Sequence, residues 1–104
     1  MKRSELTQAE RNKLKGYLGF ALRKRAYVFG VDDVLNEDKV GVVVSDKELS
    51  ENSKSKLRNK LRDTEAFELD NVGELVGNSR VKVIGVTDGS LSEAIINTLT
   101  KQLK

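Results

Sequence analysis

The chain has 104 residues, no cysteine and no histidine, and a formal net charge of +3. Without these two residue types there is no thiol nucleophile, no imidazole acid–base catalyst and no common zinc ligand set. This length suits a single domain, here spanning residues 1–104. No apolar stretch approaches the roughly 20 residues of a membrane span, and none has the pattern of a signal peptide, so we expect a cytoplasmic protein.

Charged residues are grouped by sign along the chain. Residues 1–30 hold eight basic and two acidic side chains, residues 31–50 hold two basic and six acidic ones, and residues 65–79 carry four acids and no base. The segment 51–64 is basic again. A uniformly solvated surface mixes the signs better than this. The grouping predicts one positive and one negative face, provided that the basic helices lie together.

The first part of the chain has the pattern of two helices around a short strand. Thr7 and Glu10 have the spacing of a capping box, so a helix is expected to begin at about Thr7. Its apolar side chains recur at helical spacing and form a predicted buried stripe: Leu14, Tyr17, Leu18, Ala21 and Leu22. Gly16 and Gly19 interrupt this helix and are expected to allow close backbone packing. A strand is expected at Tyr27–Phe29, and a second short helix follows Gly30.

The rest of the chain alternates strands and helices. Strands are predicted at 39–45, 66–69 and 81–87, and the valine-rich first and last of these are typical of central strands. A helix over 49–62 has Ser50 as its expected N-cap, with basic side chains largely outward: Lys54, Lys56, Arg58, Lys60 and Arg62. A loop or a single helical turn is expected at 71–77. The spacing of Ser90 and Glu93 predicts a capping box for the last helix.

This alternation predicts an α/β protein, a three-layer α/β/α sandwich with a small mixed sheet of about four strands. Asp46 and Asp88 each follow a strong strand, where ligands of α/β proteins tend to bind, and with Asp32 and Asp33 they are candidates for a carboxylate metal site. Each also directly precedes an expected helix. The interpretation as helix-entry residues is the better one, so no metal, cofactor or catalytic residue is expected.

Three segments together resemble the L-seven-Ae/L-thirty-e ribosomal protein family, and more closely its small bacterial members. They read LGFALRKRAYVFGVDDVLN from residue 18, VGVVVSD from residue 40 and ELVGNSRVKVIGVTDGSLSEAI from residue 74. The resemblance covers residues 18–99 and rests on the order and spacing of these pieces. It implies the same three-layer fold and binding of RNA, often at a kink-turn.

In that family the start of the second helix reads tandem sheared G·A pairs, and a later loop covers a flipped-out nucleotide. The resemblance places the first site on Gly30, Val31, Asp32, Asp33 and Asn36. It places the covering loop at about residues 70–73. With Lys24 and Arg25 on phosphates, the expected RNA-binding residues are Lys24, Arg25, Gly30, Val31, Asp32, Asp33, Asn36, Asn71, Val72 and Gly73.

Two departures from the family pattern bear on specificity. Asp32 stands where the best kink-turn binders have asparagine, and an ionised carboxylate only accepts hydrogen bonds. Asn36 stands where the family often has lysine, which removes one charge-assisted phosphate contact.

Two functional hypotheses follow. The first is a monomeric, non-enzymatic RNA-binding protein, associated with the ribosome or with translation, that recognises structured RNA such as rRNA or another kink-turn-containing RNA. Ribosomal or translation-factor proteins are then possible further partners. The alternative is a protein–protein interaction module on the same fold that has lost RNA binding, since the acidic segments 31–50 and 65–79 could meet a basic partner. An enzyme is not expected, because the family's fold serves RNA methyltransferases only as an appended domain.

Overall fold

The computed structural model describes residues 2–100, apart from the side chain of Lys60. Its strands are β1 (Lys2–Arg3), β2 (Tyr27–Phe29), β3 (Val42–Asp46), β4 (Glu65–Leu69) and β5 (Val83–Val86). Its helices are α1 (Gln8–Lys24), α2 (Val31–Asn36), α3 (Glu51–Lys60), α4 (Val72–Val76) and α5 (Gly89–Thr100), with a 3₁₀ turn at Leu61–Asp63. No helix within this part of the chain is long and apolar enough to cross a membrane.

The strands form one mixed sheet in the order β1-β4-β3-β5-β2. β3 is central, with Val44 opposite Phe67 of β4 on one side and Ile84 of β5 on the other. β5 is antiparallel to both of its neighbours, whereas β1, β4 and β3 are parallel to one another. The sheet has one strand more than the sequence suggested, because Lys2 and Arg3 pair with Phe67 and Glu68 at its edge.

Alternation along the strands sends side chains to two cores, one on each face of the sheet. The larger core lies beneath α1, α4 and α5 and includes Val42, Val44 and Phe67. The smaller one lies beneath α2 and α3 and includes Val43, Val34 and Leu57. Helices thus cover both faces, and the predicted three-layer α/β/α sandwich is confirmed.

The helix starts follow side-chain capping. Thr7 and Glu10 form the predicted capping box of α1, and Ser50 accepts a hydrogen bond from the Ser53 amide at the start of α3. The prediction for α5 is wrong by two residues. Its first turn is capped by Asp88, whose Oδ1 accepts from the Leu91 amide at 2.9 Å, so Ser90 lies inside the helix.

Three further expectations are corrected. α1 and α3 lie on opposite faces of the sheet, so the basic helices do not form one positive face. Lys54 does not point outward: only 7% of it is exposed. Gly16 and Gly19 do not mark close backbone packing, because a Cβ on Gly16 would meet nothing within 4 Å and one on Gly19 only the Arg23 side chain.

Candidate nucleic-acid interface

The two segments expected to bind RNA start from the same edge of the sheet. β2 and β3 are antiparallel to β5, and β4 is parallel to β3. The three strands β2, β3 and β4 therefore all end at this edge. The Gly30 amide donates to Val83 O at 3.1 Å, and the Lys47 amide donates to Leu69 O at 2.9 Å. Two strands, β3 and β5, lie between β4 and β2, so the two segments begin about 14 Å apart at the usual strand spacing.

The start of α2 is an exposed turn that depends on glycine. Gly30 has φ 88° and ψ 154° and accepts a hydrogen bond from the Val34 amide at 3.0 Å. Val34 is fully buried in the smaller core and anchors the helix. Its N-cap residue is Gly30, which has no side chain with which to cap the helix. Gly30, Asp32 and Asp33 are exposed, Val31 is half-buried, and Asn36 is exposed at the last turn.

Arg25 ends α1 in the left-handed conformation, with φ 56°, and its amide donates to Leu22 O. This turn leads the chain directly into β2. A groove follows the outer side of β2, which is an edge strand, and it brings Arg25 to the same surface as Asp33. The groove is lined by Leu22, Arg25, Tyr27, Val28, Phe29 and Asp33.

The groove also contains free backbone groups. The pairs Gly30–Val83 and Ala26–Thr87 each hold a hydrogen bond between β2 and β5. Since such pairs alternate in an antiparallel ladder, the N–H and C=O groups of Tyr27 and Phe29 face the open edge. The rings of these two residues are in contact, with centroids 4.6 Å apart and planes tilted by 46°. Sequence reasoning identified β2 but not this groove, whose only sequence signal is two aromatic residues spaced by two.

Lys24 lies at the other end of β2 from Gly30. It forms an ion pair with Asp88, its Nζ 2.5 Å from Oδ2. This ammonium, with the Leu91 amide, holds the pKa of the Asp88 carboxyl below its ordinary value. Lys24 is therefore distant from the start of α2. Its neighbour Arg25 shares a surface with that helix start.

The expected covering loop is the start of α4, and only Asn71 of its three expected contact residues is exposed. Asn71 has φ 53°, and its carbonyl accepts from Arg11 Nη2 at 2.8 Å. Val72 is fully buried. Gly73 is buried so tightly that a Cβ would lie 2.7 Å from Asn78 O. Val72 and Gly73 consequently hold the backbone of this segment in place, and their side-chain positions face the protein interior.

The acidic segment 65–79 is neutralised within the molecule. Each of its carboxylates has a cation within 4 Å, in the pairs Glu65–Lys2, Glu68–Arg3, Asp70–Lys47 and Glu74–Arg11. Lys47 also holds the pKa of Asp70 below its ordinary value. By contrast, Asp32, Asp33 and Asp38 form no ion pair within the described part of the chain. Three carboxylates without an ion pair among the described residues thus lie within seven positions on and beside α2, whereas Glu5, Asp63 and Glu93, which also lack one, are scattered along the chain.

Glu68 has a second cation that the sequence pattern did not indicate. Lys54 of α3 has its Nζ 3.3 Å from Glu68 Oε2 and 2.7 Å from Lys47 O. Burial raises the pKa of Glu68, but hydrogen bonds from Arg3 and Lys54 outweigh it, and the net pKa lies below its ordinary value.

Asp46 and Asp88 both accept hydrogen bonds from backbone amides, but only Asp88 directly precedes a helix, as expected of a helix-entry residue. Asp46 is 2% exposed, and its two oxygens accept from the amides of Glu48 and Val72. It therefore caps α4, which is distant in sequence, and not the helix that follows it. In residues 2–100 no group of three or more acidic side chains could hold a metal ion.

Comparisons with known proteins show the same fold at low sequence identity. A protein of unknown function from Bacillus halodurans superposes with a TM-score of 0.73 and 23% identity, over 85% of this chain and 97% of that one. A 15.5kD RNA binding protein from Giardia lamblia superposes with a TM-score of 0.67 and 11% identity, over 93% of this chain and 92% of that one. No family model and no curated protein matches the sequence.

Proposed function

We propose that this chain is a non-enzymatic RNA-binding protein. The observation that carries the proposal is the similarity of its fold, over nearly the whole chain, to a protein described as RNA-binding. The resemblance in segments 18–36, 40–46 and 74–95 supports the same function independently of that superposition. On this basis the RNA is structured, of the kink-turn kind, and the setting is the ribosome or translation.

The binding surface of this proposal runs from the exposed start of α2 into the groove beside β2. Asp32 and Asp33 accept hydrogen bonds from amino and imino groups of bases, the chemistry that a carboxylate offers to guanine or cytosine. Arg25 supplies the positive charge for a phosphate. The free N–H and C=O groups of Tyr27 and Phe29 can meet sugar hydroxyls, which distinguish RNA from DNA.

Charge makes the role of Asp33 testable. A carboxylate near phosphates weakens non-specific attraction, so removing an acid from this surface strengthens binding unless that acid contacts a base. Asp38 is exposed, unpaired among the described residues, and lies just beyond α2. Asp38→Ala is therefore a control for Asp33→Ala, because it removes the same charge from the same region of the surface.

The test is a titration of a fluorescent kink-turn RNA and an unkinked duplex, at about 50 mM and about 200 mM salt. Intact protein is expected to prefer the kink-turn RNA at both concentrations. We expect Asp33→Ala to weaken that binding by about tenfold, as for the loss of one good base contact. Asp38→Ala is expected to leave it unchanged or slightly stronger. Equal, weak binding to both RNAs that disappears at the higher salt would reject base reading at α2.

A protein–protein module is the second candidate, favoured by the unpaired carboxylates Asp32, Asp33 and Asp38. These form an acidic surface that complements a basic partner. The same titration separates the two functions, because a module of this kind binds neither RNA at the lower salt concentration. The neutralised segment 65–79 does not support this candidate, since its acids already have intramolecular partners.

A further inference from the structure

We infer that the outer face of α1 is a second RNA-contact surface, on which an unstacked base packs against Phe20 while phosphates meet the neighbouring cations. The inference rests on the proposed RNA binding and adds a surface on the opposite helical layer from α2. The surface consists of Lys13, Gly16, Phe20 and Arg23 and is called the α1 face below. Lys15 lies farther around the same helix and flanks this surface.

Phe20 is the aromatic centre of the α1 face. It is 52% exposed, and every other large hydrophobic side chain among the described residues is less exposed. The apolar stripe of the same helix, Leu14, Leu18 and Ala21, is buried in the larger core. Phe20 is therefore not needed to hold α1 on the sheet, and its ring is available to a ligand.

The Phe20 ring has Arg23 over it, and about half of the residue remains exposed to solvent. The Arg23 guanidinium carbon lies 4.6 Å from the ring centroid, a cation–π contact. A helical side chain leans toward the preceding turn, which for Phe20 is the turn of Gly16. A Cβ on Gly16 would meet nothing within 4 Å, so no side chain, that of Phe20 included, fills the space directly over Gly16. A planar base can enter this space and reach the exposed part of the ring.

The charges of the α1 face favour a polyanion. Lys13, Lys15 and Arg23 are exposed and have no carboxylate partner in the part of the chain that the structure describes. The other two cations of α1 are already paired, Arg11 with Glu74 and Lys24 with Asp88. Free cations beside an open aromatic ring are what a single-stranded nucleic acid requires, phosphate attraction together with base stacking.

A membrane is the less suitable occupant of the same face. A helix that lies on a lipid surface needs a broad apolar side, and the apolar side of α1 is buried against the sheet. A single exposed phenylalanine offers too little apolar area to insert. RNA needs only one open ring and nearby positive charge.

The experiment measures binding of a fluorescent oligouridine, which is single-stranded and weakly stacked, in parallel with the kink-turn RNA. Phe20→Ala is expected to weaken oligouridine binding by about tenfold, and Phe20→Trp to retain it. Gly16→Met leaves Phe20 in place but covers its open side, and is expected to weaken binding severalfold. Lys13→Gln is expected to reduce the slope of log K against log salt by about 0.7. Circular dichroism establishes that each variant is folded.

Lys56→Gln is the matched control for charge. Lys56 is exposed on α3, across the sheet from the α1 face, so this variant has the same net charge as Lys13→Gln. We expect it to bind oligouridine more tightly than Lys13→Gln does. Equal losses for the two lysine variants, or an unchanged affinity in folded Phe20→Ala, would overturn the inference.

The two proposals fail separately. Kink-turn binding that is lost in Asp33→Ala, together with no oligouridine binding at low salt, would reject the α1 face and leave the proposed function intact. Oligouridine binding that depends on Phe20, without selectivity for the kink-turn RNA, would support the α1 face and reject kink-turn recognition at α2. Sedimentation with phosphatidylserine vesicles that depends on Phe20, with no oligouridine binding, would assign the face to a membrane and overturn the inference.

Discussion

The carboxylate of Asp46 joins the end of β3 to the beginning of α4, with Oδ2 3.1 Å from the Val72 amide nitrogen. Its other oxygen accepts from the Glu48 amide at 2.9 Å. Both partners are N–H donors, and only 2% of Asp46 is exposed. This one side chain therefore fixes two segments at the edge of the sheet from which the candidate RNA-binding segments begin.

We predict that Asp46→Asn destabilises the protein although it preserves size and shape. An asparagine amide has one acceptor oxygen, so its NH₂ group would face an N–H donor in a buried site. An unsatisfied buried donor costs about 1–3 kcal/mol in the free energy of unfolding. Urea denaturation measures this, with exposed Asp38→Asn as a control expected to stay within about 0.5 kcal/mol. A midpoint of Asp46→Asn equal to that of the control would contradict this role.

Gly30 and Gly16 are predicted to respond oppositely to the same substitution. Neither has an atom within 4 Å of the position of a Cβ, so steric overlap plays no part. Gly30 has φ 88° and ψ 154°, a conformation that costs an alanine about 1–3 kcal/mol. Gly16 lies within α1, where alanine is favoured over glycine by about 0.5–1 kcal/mol.

Thermal or urea denaturation of Gly30→Ala and Gly16→Ala checks this pair. The expected order of stability is Gly16→Ala, then the unmodified protein, then Gly30→Ala. A destabilised Gly16→Ala would instead support the close packing expected from the sequence, which the structure does not contain.

Glu68 is predicted to make stability depend on pH. Arg3 and Lys54 hold its pKa below the ordinary value in the folded state. The charged form is therefore favoured by folding, and its contribution is complete above the unfolded pKa of about 4.3. That contribution is lost as the pH falls through the lower, folded pKa.

The corresponding experiment is urea denaturation of Glu68→Gln between pH 7 and pH 3. At neutral pH we expect a loss of about 1–2 kcal/mol, because hydrogen bonds to a charged, mostly buried group are removed. The difference from the unmodified protein is expected to shrink below pH of about 4. Glu93→Gln, at an exposed position on α5, serves as the control. A penalty that stays constant down to pH of about 3 would show that Glu68 acts through packing and not through charge.

The helices and strands were largely predictable because their signals are local. Thr7 and Ser50 act within one turn of their own helices, and the valines of β3 are consecutive in the chain. β1 was missed because two residues carry no periodic signal and pair with β4 more than 60 positions away. The cap of α5 was misassigned because both Asp88 and Ser90 have suitable side chains, and the choice depends on where the preceding strand ends.

The candidate site was predictable in position along the chain but not in composition. Gly30, Asp32 and Asp33 are exposed at the turn where the sequence suggested an RNA contact. Lys24, adjacent to Arg25 in the chain, is drawn away by Asp88 at the other end of β2. Phe20 and Arg23 have the i, i+3 spacing of a helical contact. Their interpretation as an RNA-contact surface depends on the exposure of the ring and on the open space at Gly16, which the sequence does not show.

The order of helices and strands, the three-layer class and the glycine turn that opens α2 could be derived from local patterns, since each depends on residues close together in the chain. Which charges remain free became evident from the folded molecule alone. The fold pairs the acids of 65–79 with cations from β1, α1 and the end of β3, and among the described residues it leaves unpaired carboxylates at α2 and unpaired cations on α1. An ion pair depends on distance in space, and strand pairing brings together residues that lie far apart in the chain.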